Sequence, residues 1–191
     1  MPEDTKRLLR EATSGSADAV ATLLERHLPS LEVFVRLRAG PALMARESVG
    51  DIVQSACREV LQDAGEFRWE SEAHFRHWLF TTALRKIQDK GRHHRRARRD
   101  PAREQVVTDV DLLAGCADLI TPSRVLEAKE QLAALERAFA ELSEEQREVV
   151  LLARIVGLPH AAIAERIGKS EGATRVVLHR ALAKLAARMA D

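Results

Sequence analysis

The sequence predicts an all-α protein of two small helical domains joined by a linker. Aromatic residues make up only 4% of its 191 residues, and a composition rich in Ala, Leu, Arg and Glu favours helix throughout. Apolar residues recur at three- and four-residue intervals, the spacing of amphipathic helices rather than the alternation of strands. Glycines, prolines and capping residues stand where that periodicity breaks.

The elements follow in order. Leu8, Leu9 and Ala12 mark a first helix, and Val20, Leu23, Leu24, His27, Leu28, Leu31, Phe34, Val35 and Leu37 a second. "TSGSAD" separates them, with Ser16 or Asp18 able to accept the first amide hydrogens of the second helix, and Gly40-Pro41 closes it. In "SVGDIVQSACREVLQD" the residues Val49, Ile52, Val53, Ala56, Val60 and Leu61 form an apolar stripe opposite Asp51, Gln54, Ser55, Arg58, Glu59 and Gln62, and Gly65 stops the helix. A loop carrying Phe67, Arg68 and Trp69 leads into a helix whose Phe75, Trp78, Leu79, Thr82 and Ala83 share a side. Phe75, Trp78 and Leu79 read as packing residues, whereas Phe67 and Trp69, in the loop, are freer.

Residues 100–121, with Pro101, Gly115 and a weak acidic apolar pattern, read as a tether with one short helical turn. The expected domains are therefore 1–99 and 122–191. Thr121-Pro122 opens the next helix, because proline costs nothing at the first helical position. Val125, Leu126, Leu132, Leu135, Ala138, Phe139 and Leu142 continue it. Ser143 to Gln146 is a capping box before Val149, Val150, Leu152, Ala153 and Val156, Gly157 stops that helix, and Pro159 opens a short third one. Ile163, Ala164 and Ile167 give the third helix its inward face, Gly168 supplies a left-handed terminator and Ser170 caps the fourth.

So short a turn makes the last two helices a helix-turn-helix unit. On the fourth, Thr174, Leu178, Ala181 and Leu185 face inward, leaving Glu171, Gly172, Arg175, Val176, His179 and Arg180 outward near the amino end. Such an end can enter a major groove, with Lys169 and Ser170 at its threshold. Spacing alone favours this over a hairpin that only packs by a narrow margin, since helix-turn-helix geometry does not by itself specify function.

A formal net charge of +1 points to no class of partner, so the distribution has to. Arg85, Lys86, Lys90, Arg92, Arg95, Arg96, Arg98, Arg99 and Arg103 are opposed along the chain only by Asp89, Asp100 and Glu104. One reading is a solvated arginine-rich stretch; the other is a phosphate track beside aromatic residues, the combination that holds single-stranded bases. Cys57 and Cys116 match no metal spacing, His74/His77 and His93/His94 lack a third ligand, and no nucleophile motif or phosphate loop occurs. Neither a catalytic centre, a cofactor nor a metal is expected. The absence of a signal-like or membrane-spanning apolar run leads us to expect a cytoplasmic protein with no membrane partner.

"DIVQSACREVLQDAGEFRWESEAHFRHWLFTTALRKIQDKGRHHRR" resembles the second conserved region of bacterial RNA polymerase sigma factors of the extracytoplasmic-function type, and "LSEEQREVVLLARIVGLPHAAIAERIGKSEGATRVVLHRALAKL" their fourth. The resemblance implies a helical bundle and a helix-turn-helix domain that bridge RNA polymerase core and promoter DNA. By it, Asp51 and Gln54, with Ser55 and Arg58 beside them, would grip the clamp helices of the largest subunit. Phe67, Arg68, Trp69, Arg85, Lys86, Lys90, Arg92, Arg95 and Arg96 would serve the minus-ten element, and Lys169, Ser170, Glu171, Gly172, Arg175, Val176, His179 and Arg180 the minus-thirty-five element. An anti-sigma partner is common in the family. Two departures stand out. Arg85-Lys86-Ile87 replaces the family's usual Asn followed by apolar residues, and Ala173-Thr174-Arg175-Val176-Val177 replaces its Thr-Val-Lys-Ser-Arg. The competing expectation is an ordinary helix-turn-helix regulator that never touches polymerase; in such a protein the "DIVQ" helix has no evident task.

Overall fold

A computed structural model describes residues 3–66, 68–97 and 122–190. The chain divides into two compact units, Met1–Asp109 and Val110–Asp191. Among the described residues every regular element is helical.

In the first unit α1 (Glu3–Thr13) packs on α2 (Ala17–Ala39); α3 (Pro41–Met44), α4 (Val49–Asp63) and α5 (Glu72–Ala97) follow. Local chemistry sets the boundaries. Ser16 accepts a hydrogen bond from the Ala19 N–H at 3.3 Å and Ser48 one from the Asp51 N–H at 3.0 Å, each satisfying a first-turn donor that has no partner within the helix. Gly40, at φ 72°, turns the chain out of α2 at little steric cost. Pro29 sits inside α2 without ending it, because Leu23 and Leu24 before it and Leu31, Phe34 and Val35 after it are all buried against neighbours.

α2, α4 and α5 enclose the core, where Val20, Leu23, Leu31, Val35, Val49, Ile52, Val60, Phe75, Leu79 and Phe80 are essentially fully buried. Losing several methylenes from such a site costs about 2–5 kcal/mol. Leu61 departs from the expected apolar stripe. It is 42% exposed, because at ~100° per residue it stands well round the helix from Ile52, Ala56 and Val60.

The second unit contains α6 (Pro122–Ala140), α7 (Glu144–Val150), α8 (His160–Ile167) and α9 (Glu171–Ala190), with α6, α7 and α8 all against α9. The capping box at α7 is complete: the Gln146 N–H donates to Ser143 Oγ at 3.2 Å, and the Ser143 N–H donates to Gln146 Oε1 at 3.1 Å. Beyond Val150 the helix continues as a π-helical turn over Leu151–Val156, closed by Gly157 in the left-handed region. The wider turn rotates the side chains relative to an α-helical register. Leu151 is therefore buried beside Leu152 and Val156, while Ala153, expected inside, is half-exposed. Pro159 lies one residue ahead of the helix it was expected to open, in extended backbone at the cap position.

His27, 8% exposed on α2, lies with its ring centroid 5.9 Å from Phe75 and its Nε2 3.4 Å from Glu72 Oε1. Burial pulls this imidazole below its ordinary range; Glu72 opposes that, and Arg76 and Arg26 reinforce it. As pH falls, the unfolded chain takes up this proton first, so stability is fullest above about pH 6.5 and declines as pH drops toward the lower folded value. We expect melting temperature to fall between pH 7.5 and 5.5, and His27→Leu to flatten that slope when both proteins are followed by circular dichroism.

Candidate functional site

Three surfaces carry the residues singled out by sequence. The first is the outer face of α4. Asp51, Gln54 and Arg58 are exposed and Ser55 half-exposed, on the side opposite buried Ile52, Val53, Ala56 and Val60. Asp51 occupies the first turn, where the helix dipole favours a carboxylate. Among the described residues no ion pair holds Asp51 or Arg58, so this face presents its charges to solvent.

The second surface is the loop before α5 and the basic end of that helix. Trp69 requires a correction. Read from sequence as a freer loop residue that serves DNA, it is only 5% exposed, its ring centroid 5.1 Å from Phe75 and 4.9 Å from Trp78. Its backbone N–H donates to Thr13 Oγ1 at 3.0 Å, pinning the loop to α1. The contact spans 56 positions, and no local pattern announces it. Trp69 thus anchors the loop in the core, while Arg68 beside it is exposed. Phe67, the side chains of Arg95 and Arg96, and all of Arg98, Arg99, Arg103 and the expected tether lie outside the described residues.

The second correction concerns charge. The basic stretch is opposed not only by its sequence neighbours but also by Glu47 and Glu59. Glu59, on α4, pairs with Lys86 and lies 3.4 Å from Arg85; Glu47, before α4, pairs with Lys90 and lies 2.7 Å from His94 Nε2. Arg92 pairs with Asp89 one turn away. Burial raises the Glu47 carboxyl, but the hydrogen bonds from Lys90 and His94 outweigh this and leave it below its ordinary range. The two glutamates come from 26 to 47 residues earlier, which is why counting along the chain misses them. Two arginines escaped the sequence reading as well. Arg38 and Arg46 line an open cleft of about 290 Å³ together with Leu43, Leu84, Ile87 and His94, and so bring further positive charge to this end of α5.

The third surface is the helix-turn-helix. Gly168, at φ 68° and ψ 36°, reverses the chain after α8; the Lys169 N–H donates to the Ala164 carbonyl at 2.9 Å, satisfying the end of that helix. Ser170 then caps α9 by accepting from the Ala173 N–H at 3.2 Å, while Thr174 Oγ1 donates to the Ser170 carbonyl at 3.0 Å. Ile163 and Ala164 of α8 are buried, as are Thr174, Leu178, Ala181 and Leu185 of α9. Glu171, Gly172, Arg175, Val176, His179 and Arg180 are all exposed. Lys169 pairs with Glu145, Arg166 lies 3.5 Å from Glu148, and Arg188 lies 2.8 Å from Glu141, tying α8 and α9 to α7 and the turn before it. Arg175 pairs with Glu171 one turn before it, whereas among the described residues no acidic side chain pairs with Arg180.

An exposed helix on a helix-turn-helix, joined in one chain to a helical unit with a basic end, defines a DNA-binding transcription protein in two parts. A family model described as Sigma-70 region 2 matches residues 23–99, and one described as Sigma-70, region 4, matches residues 132–185. The RNA polymerase sigma factor CnrH of Cupriavidus metallidurans is 31% identical over 188 residues, covering 97% of this chain and 95% of the relative. The ECF RNA polymerase sigma factor SigF of Caulobacter vibrioides is 36% identical over 160 residues, 81% of this chain and 80% of the relative. The solved structure of CnrH in complex with the cytosolic domain of CnrY aligns with a TM-score of 0.56 at 26% identity, covering 96% of this chain and 95% of that one. The chain belongs to the RNA polymerase sigma factors of the extracytoplasmic-function type. As such it binds RNA polymerase core, recognises promoter DNA and promotes initiation, and the rival reading of a regulator without polymerase falls away. Sigma factors are generally non-catalytic. No helix of the described residues is long and apolar enough to cross a membrane.

The ion pairs at α5 make a prediction about salt. Glu59→Gln should release Arg85 and Lys86, and Glu47→Gln should release Lys90. Each released cation that reaches a phosphate steepens the log–log salt dependence of DNA binding by up to about 0.9. Fluorescence anisotropy of the full chain with core polymerase and a labelled promoter duplex, at several salt concentrations, measures the slope; an unchanged slope with a lowered melting temperature would make these pairs purely structural.

Proposed function

We propose that three separate surfaces of this sigma factor divide the work of initiation, and that the orientation of α9 carries the assignment. Its buried stripe of Thr174, Leu178, Ala181 and Leu185 turns Glu171, Gly172, Arg175, Val176, His179 and Arg180 outward at the amino end, where side chains can reach base edges while Lys169 and the first-turn amides lie close to phosphate. This helix reads the upstream, minus-thirty-five element. Ser170 acts mainly as the cap that holds α9 in place.

Asp51, Gln54, Ser55 and Arg58 form the polymerase-facing surface of α4, directed at the clamp helices, and exposed Leu61 extends it with apolar area. Arg68, Arg85, Lys86, Lys90, Arg92, Arg95 and Arg96, with Phe67, serve the minus-ten element, where an opened strand requires stacking and backbone charge. Arg85, Lys86 and Lys90 exchange a glutamate for phosphate when they do so. Residues 1–99 and 122–191 act as the two DNA-engaging domains and 100–121 as the tether, so that binding by one raises the effective concentration of the other.

The chain works in the cytoplasm, where polymerase and promoter are, and contributes no catalytic centre. In keeping with this, Cys57 has its thiol pushed up to about 11 by burial and by the charge of Glu32, the opposite of an activated nucleophile. CnrH has been solved in complex with the cytosolic domain of CnrY, and we propose that this chain too has a protein partner, an anti-sigma factor.

Transcription in vitro from a promoter library, with purified core polymerase, tests the division. The full chain should confer specific start sites, and Asp51→Ala with Gln54→Ala should abolish them by preventing assembly with core. Arg175→Ala should change upstream-element preference, by about 1–3 kcal/mol at one base pair if the guanidinium reads it. Equal loss on every sequence would assign Arg175 to the DNA backbone instead.

A further inference from the structure

We propose that Val176 selects for a thymine in the upstream element by packing against its C5-methyl group, an inference that rests on the assignment of α9 to that element. Val176 is 48% exposed, one of three large hydrophobic side chains so exposed among the described residues. A single exposed apolar residue is ordinary on a protein surface; its position makes this one informative. At ~100° per residue Val176 lies about 190° round α9 from the centre of the buried stripe, so among the residues at the amino end of the helix it is the one aimed most directly away from its own domain. His179 and Arg180 flank it, placing an apolar tip between two donors.

Gly172, one turn earlier on the same face, points the same way. A Cβ added there would meet nothing within 4 Å, and its backbone is not in the left-handed region, so neither internal packing nor conformation calls for glycine. A glycine in a helix is nevertheless less favourable than alanine. Its use is a close approach by something outside the domain. Helical side chains lean toward the amino end, so Val176 overhangs the space that Gly172 leaves open. In the major groove the apolar projection on a base edge is the thymine methyl, which cytosine lacks.

The test uses full-length protein with core polymerase. Upstream elements are first selected from a randomised library, and each thymine of the selected element is then replaced singly by deoxyuridine, which removes only the methyl group. One position should show about fourfold weaker binding, the ratio corresponding to ~0.8 kcal/mol for one buried methyl. That sensitivity should vanish in Val176→Ser and persist in Val176→Ile, with melting temperatures close to that of the parent protein in both. Insensitivity at every thymine, or a methyl effect that survives Val176→Ser, overturns the proposal while leaving α9 as the reading helix. Failure of the library to enrich any upstream element overturns that assignment itself, and the proposal with it.

Discussion

In the proposed assignment, the rotation of one helix about its own axis decides what this protein can read. Thr174, Leu178, Ala181 and Leu185 occupy one side of α9 and are buried against α6, α7 and α8, so the opposite side is settled without any contact being made there. The turn at Gly168 and the Ser170 cap set where the helix begins, and the pairing of Arg188 with Glu141 steadies its far end. Packing thereby fixes an outward address, and chemistry is written on it afterwards.

A different constraint governs the first unit. Its basic helix end is made in a protein of almost no net charge, and glutamates from α4 and the segment before it sit on the cations. Exposed or half-buried pairs of this kind add little to stability. Their greater effect is on binding, because a cation already neutralised releases fewer counterions when it meets phosphate. In the proposed minus-ten role, such a surface would discriminate against DNA that offers charge alone.

What was legible in the sequence follows from the range of the interactions involved. Helix ends were readable because their causes lie within three or four residues: Ser143 with Gln146, Ser170 with Ala173, glycine at 168. The faces of α4 and α9 were readable because periodicity projects directly onto orientation, with Leu61 the misplaced residue. Trp69 was misread because the hydrogen bond that pins its loop comes from Thr13, 56 positions away on α1. The partners of Lys86 and Lys90 were missed for the same reason, and Leu151 because a π-helical turn alters the period on which such a reading depends. Matching motifs across the whole chain recovered function where local reasoning favoured groove binding only narrowly over a packing hairpin.

The arrangement of α9 also bears on how such proteins diverge. Each outward residue of its amino end is exposed, and surface substitutions generally change stability by less than about 0.5 kcal/mol. Lineages can therefore exchange Arg175, Val176 or His179 without jeopardising the scaffold, so duplicated copies drift toward new targets along a nearly level path. The buried side of the same helix has no such freedom, and its spacing should persist long after the outward letters have changed.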